Sequence, residues 1–214
     1  MDRGYAIFDM DGTLVDSMPY WRRLAGEFLH LKGISPIPRD VLERIRPMTV
    51  PEAAALFLRE FDLEGTPKRL SLEINALMER HYREDIPLKP GVREYLKALE
   101  RRGVQMCVAS ATAGSLMRDC LGRLGVLEHF QFLLSCEEVG AGKNRPDVYL
   151  AAAERLGCRA EEAAVYEDAL YAAETAGRAG FYVVGVFDES AGEYWAELSR
   201  LARETIFDFR EERL

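Results

Sequence analysis

Two aspartates one residue apart, Asp9 and Asp11, close the apolar run Tyr5-Ala6-Ile7-Phe8 and are followed at once by Gly12-Thr13. Carboxylates this close repel each other unless a cation lies between them or one keeps a proton. A carboxylate nucleophile with a neighbouring carboxyl acid/base would use that arrangement, and so would a magnesium site. A pair that merely caps a turn ahead of a helix would be spelled the same way.

Later positions bear on the choice. Ser110 ends a second apolar segment, where its hydroxyl and the neighbouring N–H groups could meet an anion or cap a helix. Lys143 stands in Gly140-Ala141-Gly142-Lys143-Asn144-Arg145-Pro146. This is not a Walker A loop, because Glu137 and Asn144 occupy its first glycine and its Ser/Thr; nor is it a dinucleotide fingerprint, because Arg145 replaces the third glycine. It reads as a flexible loop offering one lysine ahead of a helix. Glu167-Asp168 closes the apolar run Ala163–Tyr166, where acidic groups require a compensating cation unless one of them, Glu167 above all, caps the next helix. Carboxylates, a hydroxyl, a lysine and more carboxylates thus end separate strands or the loops after them. The joint pattern describes a magnesium-assisted phosphoryl-transfer site.

The elements that must position these groups alternate. Strands are expected at 5–9, 104–110, 130–136, 163–167, 181–186 and 205–209. Helices are expected between them at 92–102, 116–124, 146–156, 169–179 and 191–202. Such alternation implies βαβ units and a Rossmann-like parallel sheet, an α/β core whose ligands lie at the carboxyl ends of the strands. Residues 17–88 depart from it. They read as wholly helical, broken at Pro36-Ile37-Pro38, Pro47, Pro51 and Gly65-Thr66-Pro67. The expected organisation is therefore a core of residues 1–16 and 89–214 with an all-helical cap domain, 17–88, inserted after the first strand. Within the insert, Trp21, Phe28, Phe57, Leu58 and Phe61 are expected to pack and His81 to lie at the surface; Arg22-Arg23 and Arg101-Arg102 read as solvated charge.

Composition limits the partners. The 214 residues are 48% apolar and 30% charged, as in ordinary globular proteins, and 28 basic against 36 acidic residues leave a net charge of −8. No basic field draws the chain to nucleic acid or to an anionic membrane. Cys107, Cys120, Cys136 and Cys158 form no C-x-x-C pair, and His30, His81 and His129 do not stand at zinc spacing from them. Buried free thiols in a reducing, cytoplasmic setting are expected. Met1-Asp2-Arg3-Gly4 opens no signal peptide, and no apolar run reaches membrane-spanning length.

The chain resembles the haloacid dehalogenase (HAD) superfamily, in its capped beta-phosphoglucomutase- and phosphatase-like branch. Asp9-Met10-Asp11-Gly12-Thr13 resembles the family's first motif, Ser110 in Val108-Ala109-Ser110-Ala111-Thr112 its second, Lys143 with Arg145-Pro146-Asp147 its third, and Glu167-Asp168 its fourth. The resemblance covers nearly the whole chain. It implies that Asp9 attacks the substrate phosphorus and that Asp11 serves as acid, then base. It implies that Mg2+ binds the Asp9 carboxylate, the Asp11 carbonyl and Asp168, with Glu167 binding directly or through a water. Ser110, the Ala111 N–H and Lys143 would hold the phosphoryl oxygens, while the cap would exclude water and select the substrate. In the fourth motif Ala169 and Ala172 replace the usual serine and glycine, which removes no catalytic group.

The resemblance implies a Mg-dependent phosphatase for a small phosphorylated metabolite, acting as a monomer or weak homodimer. The alternatives are a beta-phosphoglucomutase-like hexose phosphate mutase and a non-catalytic protein that binds a phosphorylated ligand. Beta-phosphoglucomutases hold the distal phosphate with a cap arginine and a lysine, and restrain premature attack with a histidine. Here those positions fall on Val50, Ala113 and Trp21, with Arg46 as a nearby compensating charge. Hydrolysis is therefore expected over isomerisation.

Overall fold

Among the described residues six short strands pair in parallel as a single sheet in the order β3-β2-β1-β4-β5-β6. They are β1 (Tyr5–Phe8), β2 (Gln105–Ser110), β3 (Leu133–Ser135), β4 (Ala163–Glu167), β5 (Tyr182–Val186) and β6 (Glu204–Ile206). The computed structural model describes residues 3–45, 48 and 50–212. Arg46 and Pro47 lie outside the described residues, so the expectations attached to them have no structural account. The helices are α1 (Met18–Leu31), α2 (Arg39–Ile45), α3 (Val50–Glu60), α4 (Pro67–Glu84), α5 (Val92–Arg101), α6 (Gly114–Arg123), α7 (Cys136–Val139), α8 (Asp147–Leu156), α9 (Leu170–Arg178) and α10 (Trp195–Leu201).

Every residue of β4 is buried, which explains the apolar run Ala163–Tyr166 ahead of Glu167: a strand covered on both faces does not alternate. Helix α5 buries Val92, Tyr95, Leu96 and Leu99 along one stripe, and α9 buries Ala172, Ala173 and Ala176. Phe8 stacks on Tyr166 at 4.1 Å between ring centres, and the Tyr166 and Tyr95 hydroxyls share a hydrogen bond of 2.9 Å. These contacts tie the two central strands to α5 and fix the height of the strand ends.

The chain divides into two units, Met1–Met18 with Ile86–Leu214, and Pro19–Asp85. The division falls inside 17–88 because the entering and leaving segments are held to the core. Val15 bridges Leu88, the Asp16 N–H donates to the Pro87 carbonyl, and the Lys89 N–H donates to the Leu14 carbonyl. In the helical unit, Thr66 caps α4 by accepting the Arg69 N–H, with Pro67 in the first turn. Phe28 and Phe57 are buried with ring centres 6.2 Å apart, Phe61 lies beside Phe57, and Trp21 Nε1 donates to Tyr82 Oη at 3.2 Å.

Several expected elements differ. The strand at 130–136 contracts to β3 because Ser135 and Glu138 form a capping box that starts α7. The helix at 191–202 begins only at Trp195; Asp188 accepts the Ser190 N–H and starts a 3₁₀ turn first. The last strand stops at Ile206, since Asp208 caps another such turn. His81 is not at the surface: it is 9% exposed, with Nδ1 2.7 Å from Asp85 and Nε2 2.9 Å from Glu27. The four cysteines are free, three of them buried and Cys158 half-buried. Among the described residues no helix is long and apolar enough to cross a membrane.

Candidate active site

The order of strands reverses about β1, which pairs with β2 on one side and β4 on the other. In open parallel sheets that reversal leaves a crevice at the carboxyl ends of the strands, where ligands bind. Asp9 follows β1 and Glu167 ends β4. Their register is explicit: Phe8 pairs with Tyr166, and the Asp9 N–H donates to the Tyr166 carbonyl at 3.0 Å. The next residue along β4 is Glu167, so the two carboxylates arrive side by side.

Asp9, Glu167 and Asp168 each present an oxygen within 4.8 Å of the others, and all three residues are buried. Lys143 is 6% exposed among them; its ammonium donates to Asp9 Oδ1 and, at 2.6 Å, to Glu167 Oε1. Thr13 Oγ1 donates to Asp168 Oδ1 at 3.1 Å, and Tyr149 Oη donates to Glu167 Oε1 at 2.6 Å. Gly12 has φ +78°, and a Cβ there would lie 2.7 Å from Asp168 Cγ, so only glycine lets the loop pass this carboxylate.

Asp11 stands apart from that trio. Its Oδ2 accepts the Thr112 hydroxyl at 2.6 Å, and it is half-buried where Asp9 is buried. Ser110 is buried at the end of β2, with Oγ accepting the Thr112 N–H at 3.1 Å, while Ala111 is exposed beside it. The fold therefore brings Asp9, Lys143, Glu167 and Asp168 into direct contact or near it. Asp11 and Ser110 are linked through Thr112.

The electrostatics are those of a site short of positive charge. Burial pushes the Asp9 carboxyl well above its ordinary range; Lys143 pulls it down, and Glu167, Asp168 and Asp11 push it further up. Burial, Glu167 and Asp188 push Asp168 up to about 7 against the pull of Lys143 and Lys89. Burial alone would lower the Lys143 pKa, but Asp9 and Glu167 outweigh it and the lysine stays charged. One ammonium faces three carboxylates. Glu167 Oε2 is also buried with no hydrogen-bond partner, a costly state for a carboxylate oxygen. An all-oxygen donor set, excess buried negative charge and a bare oxygen together fit a hard divalent cation such as Mg2+.

Sequence reasoning did not single out Tyr149, nor Lys89 and Asp188. Lys89 Nζ lies 2.8 Å from Asp188 Oδ2 and donates to the Phe187 carbonyl at 2.6 Å. The signal for Tyr149 was faint: a hydroxyl-bearing ring on the otherwise apolar face of α8, one turn after the lysine loop.

A parallel sheet of this order, carrying its acidic residues at the strand ends and a helical insert after the first strand, is the fold of haloacid dehalogenase-like proteins. The chain belongs to the haloacid dehalogenase-like hydrolase family, whose profile it matches over residues 5–180, and as an enzyme it falls with that family's phosphatases. It is 28% identical over 178 residues to a phosphorylated carbohydrates phosphatase from Thermotoga maritima, spanning 81% of this chain and 80% of the relative. It is 30% identical over 183 residues to hexitol phosphatase A from Escherichia coli, spanning 84% and 81%. A crystal structure from Thermotoga maritima, provisionally described as a beta-phosphoglucomutase, superposes with a TM-score of 0.82 at 25% identity, covering 96% of this chain and 95% of that one.

Proposed function

We propose that the chain is a Mg2+-dependent phosphatase acting on a small phosphorylated sugar or sugar alcohol through an aspartyl-phosphate on Asp9. The observation that carries this reading is the meeting of Asp9, Lys143, Glu167 and Asp168 at the reversal of strand order, with Glu167 Oε2 left bare. The names of the relatives, phosphatases of phosphorylated carbohydrates and hexitols, support the substrate class.

Asp9 has a carboxylate oxygen to attack phosphorus. As the Asp9–phosphorus bond forms, the ester oxygen–phosphorus bond breaks, and the leaving oxygen takes a proton from the Asp11 carboxyl. Asp11, now ionised, removes a proton from water. That water attacks the same phosphorus, the bond to Asp9 breaks, and inorganic phosphate leaves. Thr112 holds the Asp11 carboxylate by one oxygen for both proton transfers. Lys143, with the Ser110 hydroxyl and the Ala111 N–H, would steady the phosphoryl oxygens. Mg2+ held by the Asp9 carboxylate, the Asp11 carbonyl and Asp168, with Glu167 beside it, would supply the charge that lets an anionic nucleophile meet an anionic phosphate.

Transfer to water rather than to a second sugar hydroxyl is favoured by the residues that replace the mutase set. Trp21 is occupied with Tyr82, and Ala113 precedes α6 as an uncharged cap. The test is a panel of phosphorylated sugars, sugar alcohols, nucleotides and small acids, assayed for phosphate release with Mg2+ and with a chelator. Beta-glucose 1-phosphate with catalytic 1,6-bisphosphate belongs in the same panel. Metal-dependent phosphate release from sugar phosphates without glucose 6-phosphate is expected; rapid formation of glucose 6-phosphate would replace this reading with the mutase.

A further inference from the structure

Tyr149 is completely buried on α8, its ring edge-on to Phe181 with centres 6.1 Å apart. Its hydroxyl donates to Glu167 Oε1 at 2.6 Å, and Lys143 donates to that same oxygen at 2.6 Å. The other oxygen of the same carboxylate, Oε2, is buried and has no hydrogen-bond partner. The asymmetry is informative. A carboxylate turns readily about its last side-chain bond, and two donors sharing a site would ordinarily be spread over its two oxygens. Here both converge on one oxygen and leave the other bare, in a carboxylate that groups with those of Asp9 and Asp168.

We propose that Tyr149 is a positioning residue: it pins Glu167 by Oε1 so that Oε2 stays clear for the divalent cation. The lysine alone could not do this, because its flexible stem also serves Asp9. A rigid ring packed against Phe181 gives the hydroxyl one place to be. Glu167 then links the cation to Lys143 through a single carboxylate, and Tyr149 sets which oxygen does which. Residues behind metal ligands commonly act in this way, by fixing orientation rather than by touching the ion. The inference rests on the metal-dependent reading above.

The test is the affinity of the intact chain for Mg2+ alone, measured by isothermal titration calorimetry without substrate, in wild type, Tyr149→Phe, Glu167→Gln and the double variant. Tyr149→Phe removes one oxygen and keeps the ring. Its Mg2+ dissociation constant is expected to rise about tenfold, the ordinary effect of losing a group that orients a ligand. Because Tyr149 acts through Glu167, the double variant should bind Mg2+ within about twofold of Glu167→Gln rather than losing both effects in sequence. Saturating Mg2+ should restore kcat of Tyr149→Phe to within about threefold of wild type, a KM-type defect in metal.

Wild-type affinity in Tyr149→Phe, or losses that multiply in the double variant, would overturn the inference and leave Tyr149 a packing residue. Should circular dichroism show Tyr149→Phe unfolded, the comparison of Glu167→Gln with the double variant decides alone, since no buried carboxylate then lacks its donor. A wild-type chain that binds no Mg2+ and hydrolyses phosphate esters fully in chelator would overturn the metal-dependent reading, and this inference with it. Wild-type Mg2+ binding that Tyr149→Phe leaves unchanged overturns the inference alone.

Discussion

Thr112 donates its hydroxyl to Asp11 Oδ2 at 2.6 Å, joining the loop after β2 to the loop after β1 across 101 positions of sequence. The same residue's N–H donates to Ser110 Oγ. One threonine thus orients both the proposed acid/base and the serine proposed to meet phosphate. Thr112→Val keeps the branched shape and removes the hydroxyl. It is expected to lower kcat about tenfold, less than the roughly hundredfold or more that a general acid/base itself supplies, because Asp11 remains in place, while the Mg2+ requirement stays as in wild type. Steady-state kinetics across a Mg2+ series check this; an unchanged kcat would detach Thr112 from the chemistry.

Gly12 carries a different expectation, because both its backbone and its surroundings exclude a side chain. At φ +78° an alanine is strained, and its Cβ would press on Asp168. Gly12→Ala should cost about 2 kcal/mol of stability from strain alone. For a chain of this size that lowers the melting temperature by roughly 4–8 °C. Displacement of Asp168 should weaken Mg2+ binding as well. Differential scanning calorimetry with and without Mg2+ reads both effects; a melting temperature unchanged in either condition would contradict the crowding.

In the helical unit, His81 gives a pH signature. Burial acts to lower its pKa, but hydrogen bonds to Asp85 and Glu27 outweigh burial and the net shift is upward from 6.5. Both ring nitrogens face carboxylates, so the charged imidazolium satisfies them both. Tyr20 packs over the ring at 5.0 Å between centres, and Arg22 and Arg23 line the same cavity. A group whose pKa is raised by folding adds stability below its unfolded pKa and loses it as pH rises through the folded value. Because Glu27 and Asp85 are partly exposed, about 1 kcal/mol is expected at the acid end. The melting-temperature difference between wild type and His81→Gln should therefore be largest near about pH 5–6 and shrink towards about pH 8–9. A flat difference across that range would contradict the charged bridge.

How much of this was legible in the sequence follows from what is local. Asp9, Asp11 and Gly12 are near neighbours, and the apolar run before them announces a strand end, so the motif could be read at its own length. Glu167-Asp168 was legible for the same reason. Lys143 was not legible from its own loop, which misses both phosphate-loop patterns; its place depended on the resemblance and on the order of the other motifs. Thr112, Tyr149 and the Lys89–Asp188 pair act over separations that only strand order and register create. His81 was misread because a polar residue on an amphipathic helix ordinarily faces water; two carboxylates, one on α1 and one at the end of α4, make its burial possible. Element ends shifted where a side chain intervened, as Ser135 does at α7 and Asp188 before α10.

The central claim is that Asp9 becomes covalently phosphorylated. The most direct measurement is a rapid acid quench of the enzyme during its first turnover of a substrate labelled in the phosphoryl group, followed by digestion and peptide mapping. The label should appear on the peptide carrying Asp9 and decay as inorganic phosphate appears. In Asp9→Asn the label should be absent, with unchanged circular dichroism and less than about a hundredth of wild-type activity. Turnover without any label on Asp9, or a label on another residue, would contradict the account.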